Sequence, residues 1–150
     1  MHYSYKQLTP SDVKLLKELL KVFDDAFNEV DTYQKAVPSD AYLQTLLSKT
    51  HFIALVAMAD DEVVGGIAAY ELEKFEQDRR EIYIYDLAVA EIHRRKGLAT
   101  GLINELKRLA KERKAYVIYV QADVEDEPAI KLYESLGTKE NVLHFDIQVD

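Results

Sequence analysis

The chain has no cysteine. That removes a disulfide framework, a thiolate metal site and a cysteine nucleophile together, and it fits a reducing, cytoplasmic compartment. Long apolar runs are also missing: the longest, Phe52 to Ala59, falls far short of the ~20 residues that cross a bilayer. The opening MHYSYKQL has no basic stretch leading into an apolar one, so neither a membrane span nor a secretion signal is expected. Histidine is scarce and scattered, at His2, His51, His93 and His144, without ligand spacing, and no metal is expected. Neither the Gly-x-Gly-x-x-Gly fingerprint nor the Walker phosphate loop occurs, which argues against dinucleotide and nucleoside-triphosphate enzymes.

What is present is 150 residues, 48% of them hydrophobic and 31% charged, enough for one sizeable core and too few for two. One domain over residues 1–150 is expected. A net charge of -8 disfavours nonspecific binding to nucleic acid or anionic lipid and leaves room for a cationic ligand. The charge is unevenly placed. Arg94, Arg95, Lys96, Lys107, Arg108, Lys111, Arg113 and Lys114 face only Glu105 and Glu112 in their segment, while acids gather at Asp24, Asp25, Glu29 and Asp31 and again at Asp123, Glu125, Asp126 and Glu127. Taken alone such runs read first as solvated faces, and second as two ligand sites of opposite sign.

The hydrophobic periodicity gives an order of elements. Tyr3 to Leu8 reads as a short strand. Thr9-Pro10-Ser11-Asp12 supplies a cap hydroxyl, a proline for the first helical position and an acid in the first turn. Leu16, Leu19, Leu20, Phe23, Phe27 and Val30 then recur at helical spacing. A second helix follows Pro38-Ser39 with Tyr42, Leu43, Leu46 and Leu47 inward. Phe52 to Met58 and Val63 to Leu72 form a hairpin, and a charged loop precedes a strand from Glu81 to Val89. Leu98, Leu102, Leu106 and Leu109 mark a helix over Gly97 to Lys114, Tyr116 to Ala122 a strand, Ala129 to Leu136 a helix closed by Gly137, and Val142 to Val149 a last strand. The expected class is α/β, a mixed sheet with helices on its faces.

Arg94-Arg95-Lys96-Gly97-Leu98-Ala99 falls where a buried strand hands over to an amphipathic helix. A glycine there admits close approach of a ligand, Ala99 leaves room, and the free N–H groups of the first helical turn attract an anion such as a diphosphate. The same residues also fit an ordinary turn beside surface arginines.

Arg94-x-x-Gly97-x-Ala99 after a strand, with Ala129-x-x-Leu132-Tyr133-x-x-Leu136-Gly137 some thirty residues on, resembles the GNAT superfamily of acetyl-coenzyme A-dependent N-acetyltransferases. EIYIYDLAV, HRRKGLA, AYVIYVQAD and VLHFDI look closest to the type I aminoglycoside 3-N-acetyltransferases, the gentamicin-modifying class. The resemblance implies the GNAT fold, acetyl-CoA as cosubstrate, an aminoglycoside acceptor, antibiotic resistance as the outcome, and a class in which homodimers are common. It places the pantetheine arm along Leu87, Ala88 and Val89, one of whose N–H groups would polarise the thioester carbonyl, and the pyrophosphate at Arg94, Arg95, Lys96, Gly97, Leu98 and Ala99. It makes Tyr133 the acid for the departing thiolate, a role suited to a phenol protonated at neutral pH.

The acceptor side must hold ammonium groups and take up a proton. Asp86 interrupts a run otherwise fit for burial, which makes it either the base or a structural carboxylate. Asp123 is expected to end the partner strand and converge on the same pocket. Asp31 and Tyr33, in the loop between the first two helices, are further acceptor candidates. Tyr83 and Tyr85 read as an aromatic wall for sugar rings or, for at least one of them, as core. His144 is an alternative base. Acetylation of a polyamine or a protein amine, and a silent acyl-CoA sensor, stand as rival readings.

Overall fold

A computed structural model describes residues 2–28 and 36–150. The elements run β1 (Tyr3–Gln7), α1 (Val13–Phe27), α2 (Asp40–Ser48), β2 (Phe52–Ala59), β3 (Glu62–Glu73), β4 (Arg80–Val89), a short 3-10 turn (Glu91–His93), α3 (Leu98–Glu112), β5 (Ala115–Val120) and α4 (Glu127–Leu136). The strands form one sheet in sequence order, antiparallel from β1 to β4 and parallel between β4 and β5. The result is the expected mixed sheet with helices on its faces.

The continuous apolar run of β2 is explained by burial on both of its faces. Ile53, Leu55 and Ala57 pack with Leu102, Leu106 and Leu109 of α3. Phe52, Ala54 and Val56 turn the other way, against Leu16, Leu19 and Phe23 of α1 and Leu43 and Leu47 of α2. Gly66 of β3 is needed where α1 crosses, since a Cβ there would run into the Leu55 carbonyl and the Leu19 side chain. The hairpin between β2 and β3 turns through Asp60, whose φ of 54° is left-handed.

Three local expectations are corrected. The first helix starts at Val13, not at Pro10. The Asp12 carboxylate folds back to accept from the Thr9 N–H (2.8 Å), the Thr9 hydroxyl (3.0 Å) and Lys6 Nζ (3.1 Å), tying residues 9–12 into a turn. Tyr42 does not face inward on α2 but stands 62% exposed; Ser39 caps that helix through the Tyr42 N–H, as its position suggests. The largest departure is the last strand. Residues 138–150 form no strand, and every residue of the segment is exposed.

Candidate active site

The sheet opens between β4 and β5. Their parallel register runs from Arg80 opposite Ala115 to Ile84 opposite Val120 and stops there, whereas β4 continues along β3 to Val89 opposite Gly65. Among the described residues, the edge of β4 from Tyr85 to Val89 that faces away from β3 therefore has no strand against it. A bulge begins the divergence: Ile84 pairs with Ala69 and Asp86 with Ala68, leaving Tyr85 as the extra residue. Beyond it Leu87 and Val89 pack on the α3 side and Ala88 on the α1 side.

At the end of β4 the backbone builds an anion cradle. Arg94 Nε donates to the Val89 carbonyl at 2.9 Å, tying this arginine over the strand end. Beneath it His93 is buried and shares a hydrogen bond with the Tyr3 hydroxyl, Nδ1 to oxygen 2.9 Å. Arg95 (φ 61°) and Gly97 (φ 79°) are both left-handed. The first bond of α3 is donated by the Gly101 N–H to the Gly97 carbonyl, 2.9 Å, so the N–H groups of Leu98, Ala99 and Thr100 point forward without an intrahelical acceptor. A Cβ built on Gly97 meets nothing within 4 Å. The hollow above has a volume of about 210 Å³ and is lined by Val89, His93, Arg94, Arg95, Gly97, Leu98, Ala99, Thr100 and Leu132. Exposed Arg95 and Lys96 flank it. Open backbone donors, helix polarity and cationic rims are what a diphosphate requires, and the residues present fit the cosubstrate implied by the motif.

On the opposite face of the sheet stands a row of tyrosines. Tyr83 lies opposite Tyr70 on β3 and Tyr119 on β5. Its ring stacks on Tyr119 at 4.8 Å and meets Tyr85 edge-on at 6.1 Å, and its hydroxyl donates to Gln121 Oε1 at 3.0 Å. Tyr70 meets Tyr85 edge-on at 6.0 Å and Phe52 at 5.3 Å. Half-buried Asp86 shares this face. Burial first, then Tyr85, Tyr42 and Asp86, raise the Tyr70 pKa; burial, Tyr85 and Asp86 raise that of Tyr83. The phenols stay neutral, and with one carboxylate among them the surface suits a cation carried on a hydrophilic ring. Sequence reading picked out Tyr83 and Tyr85 but missed Tyr70 and Tyr119. Both occupy apolar-looking strand runs, and only the register reveals that they share the Tyr83 face.

Tyr133 is half-buried on α4, a helix capped by the Asp126 carboxylate, which accepts from the Ala129 N–H at 3.3 Å. Burial, and secondly the Asp126 charge, push its pKa up to about 12. It borders a larger groove of about 350 Å³ between α3 and α4 over β5, while its neighbour Leu132 lines the anion hollow.

Asp123 does not end the strand. β5 stops at Val120, and Asp123 is exposed in the following turn, its carbonyl accepting from the Asp126 N–H at 3.0 Å. Polar Gln121 already leaves the sheet, and the pattern does not distinguish that exit from one more strand residue. Asp31 and Tyr33 lie outside the described residues. His144 is exposed on segment 138–150, its Nε2 2.9 Å from Asp146 Oδ1. Among the described residues no cluster of His, Asp or Glu has a metal-binding arrangement, and no helix is long and apolar enough to cross a membrane.

Comparison with known proteins agrees with this geometry. The acetyltransferase (GNAT) family model matches residues 16–138. The crystal structure of an aminoglycoside acetyltransferase from an uncultured soil metagenomic sample is 56% identical, with a TM-score of 0.97 and full coverage of both chains. A second such enzyme from soil metagenomic DNA, crystallised with sisomicin, is 28% identical with a TM-score of 0.91 over 99% of this chain and 97% of its own. Among curated sequences, the N-alpha-acetyltransferase of Saccharolobus solfataricus is 34% identical over 91 residues, 56% of this chain and 54% of that protein. This chain thus spans about half the length of that relative.

Proposed function

Because this chain belongs to the acetyltransferase (GNAT) family, we propose that it transfers acetyl from acetyl-CoA to an amine of an aminoglycoside, the 3-amino group of the deoxystreptamine ring of gentamicin-type substrates. The observation that carries the acceptor class is the tyrosine face with Asp86, which lies beside the opening between β4 and β5 and across the sheet from the cationic hollow. Acetyl-CoA, when bound, supplies the acetyl group as a thioester.

The residues divide the work. Arg94, Arg95, Lys96 and the N–H groups of Gly97, Leu98 and Ala99 hold the diphosphate. The unpaired edge of Leu87, Ala88 and Val89 offers backbone donors and acceptors to the pantetheine amides and one N–H to the carbonyl oxygen as charge develops on it. Asp86, with Asp123 at the rim, binds the ammonium groups, and Tyr70, Tyr83, Tyr85 and Tyr119 give the sugar rings a flat wall. As the C–N bond forms and the C–S bond breaks, the amine proton passes to Asp86 directly or through water, and the Tyr133 hydroxyl donates its proton to the departing sulfur. No acyl-enzyme is required, and both substrates are held together. The structural neighbours named as aminoglycoside acetyltransferases support this reading, and its regiochemistry rests on the motif resemblance. The N-alpha-acetyltransferase relatives favour a second acceptor, a peptide N-terminus.

The test is a panel of amines with acetyl-CoA, reading released thiol and identifying product by mass spectrometry and NMR. Gentamicin acetylated once on the 3-amine is the expected result. A different nitrogen overturns the regiochemistry; turnover of spermidine or a peptide with no aminoglycoside turned over overturns the acceptor class.

A further inference from the structure

Besides Arg94 and Arg95, the hollow at the end of β4 is lined by one titratable side chain, and the transfer described above does not use it. His93 borders the hollow yet is only 6% exposed. The turn that carries it is firmly held. The Ala90 N–H donates to the Val64 carbonyl of β3 at 2.7 Å, and the His93 and Arg94 N–H groups donate to the Ala90 and Glu91 carbonyls at 2.9 and 3.2 Å. β1 supports the ring: Tyr3 meets it edge-on at 5.8 Å, with its hydroxyl 2.9 Å from Nδ1. Tyr5, two residues on, reaches under the first turn of α3, where a Cβ on Gly101 would overlap its hydroxyl. Both walls of the hollow thus rest on tyrosines of one strand.

The contact at Nδ1 decides what the other ring nitrogen can do. When the Tyr3 hydroxyl donates to Nδ1, the ring hydrogen sits on Nε2; when the ring is protonated and Tyr3 accepts, Nε2 carries a hydrogen as well. Only a neutral ring with its hydrogen on Nδ1 presents a lone pair at Nε2. Among the described residues, the fully enclosed side-chain nitrogens and oxygens without a partner are Asp24 Oδ1 and Arg79 Nε. His93 Nε2, whose ring is hydrogen-bonded only through Nδ1, is therefore open, and the space that His93 lines is the hollow. A lone pair there repels a diphosphate, whereas an N–H gives it a donor from inside the wall. The neighbouring cations are placed differently. Arg94 Nε is committed to the Val89 carbonyl, and Arg95 and Lys96 are exposed, where water and salt weaken their pull.

We propose that His93 Nε2–H is a side-chain donor to the diphosphate of the cosubstrate, and that Tyr3 is the positioning residue that keeps the ring in a form able to donate. This assignment rests on the acetyl-CoA reading of the hollow and is independent of the acceptor amine.

Calorimetry with coenzyme A tests it without turnover. His93→Asn keeps an amide near the Nδ1 position and leaves the outer one empty, so affinity should fall by about 10–100-fold, the range for losing a hydrogen bond to a charged group. His93→Gln carries an amide N–H out to the Nε2 position and should recover most of that loss. Tyr3→Phe should weaken binding by about 2–10-fold, the range for a neutral hydrogen bond. Nitrogen-15 NMR of the imidazoles, four in the chain, gives a readout that packing alone would not move. In the wild type the His93 hydrogen should sit on Nε2, and that signal should shift on titration with coenzyme A and with inorganic pyrophosphate alone. In Tyr3→Phe the free ring should gain the form with hydrogen on Nδ1. The wild-type spectrum decides even where a variant fails to fold. A ring with hydrogen on Nδ1 alone in the coenzyme A complex, unchanged affinity in folded His93→Asn, or equal losses in the Asn and Gln variants would each overturn the role of His93 and leave the cosubstrate where it is. Wild-type protein without affinity for coenzyme A would instead remove the cosubstrate reading, and the role of His93 with it.

Discussion

The two sides of β4 are built from different materials. On the α3 side the hollow at residues 94–99 is made of backbone: free N–H groups at a helix start, two left-handed residues and an arginine pinned to a carbonyl. On the α1 side the surface is made of side chains, tyrosines from neighbouring strands whose rings meet only because the register lines them up. A backbone site constrains a few positions tightly and tolerates change elsewhere. A side-chain site can be rewritten one residue at a time without disturbing the sheet.

The sharpest break between the two falls on Tyr133, which belongs to neither wall and is proposed to protonate the departing sulfur. Tyr133→Phe removes one hydroxyl and should lower kcat by ~10²–10⁴-fold, the usual worth of a general acid, with CoA affinity unchanged. Because its pKa is pushed up to about 12, the hydroxyl stays protonated through neutral and mildly alkaline pH. Any alkaline fall in kcat well below that value must come from another group and should survive in the phenylalanine variant. A full-speed variant would leave thiolate departure unassisted.

Next comes the backbone wall. Gly97 sits at φ 79° with open space where a Cβ would be, so Gly97→Val is penalised by conformation rather than by crowding within the protein. A left-handed L-residue costs roughly 1–2 kcal/mol, which falls on the fold, while the new side chain obstructs the hollow and weakens binding. Calorimetry should show weaker CoA binding, and the melting temperature should fall by roughly several degrees. Affinity equal to wild type in a folded variant would move the cosubstrate elsewhere.

The same division explains what the sequence revealed. The element order follows from hydrophobic period, and the anion hollow from a short glycine motif, because both depend on local backbone. The tyrosine wall depends on the β3–β4 bulge and the β4–β5 register, which no single stretch encodes, so the pattern does not single out Tyr70 and Tyr119. Val142 to Val149 reads as a strand from its apolar content, but a strand exists only where another pairs with it, and among the described residues none does. Asp123 was misplaced because a strand end is decided by pairing, and pairing stops at Val120.

On the side-chain wall the effects should be graded by burial. Asp86 is half-buried among phenols, and Asp86→Asn should raise KM for gentamicin by about 10–100-fold, the range for losing a hydrogen bond to a charged group, while sparing CoA binding. If Asp86 is also the base, kcat falls and the acid limb of its pH profile shifts. An unchanged KM would make Asp86 a structural carboxylate at the bulge.

Asp123 should matter least. It is exposed in the turn beyond β5, where an ion pair with an incoming ammonium group is screened by water and salt. Asp123→Asn should raise KM by no more than about 5-fold at low ionic strength. That difference should vanish near ~0.5 M salt, where the Debye length falls toward a few ångströms, and more of the loss at half-buried Asp86 should persist there, since partly buried pairs are screened less. The double variant then decides whether the carboxylates grip one substrate. Independent sites more than ~7–10 Å apart give additive losses, whereas two contacts to the same polycation give a combined loss smaller than the product of the single ones. Additive losses with identical salt dependence would show that the graded wall does not exist and that the acid nearest the reacting amine must be sought elsewhere.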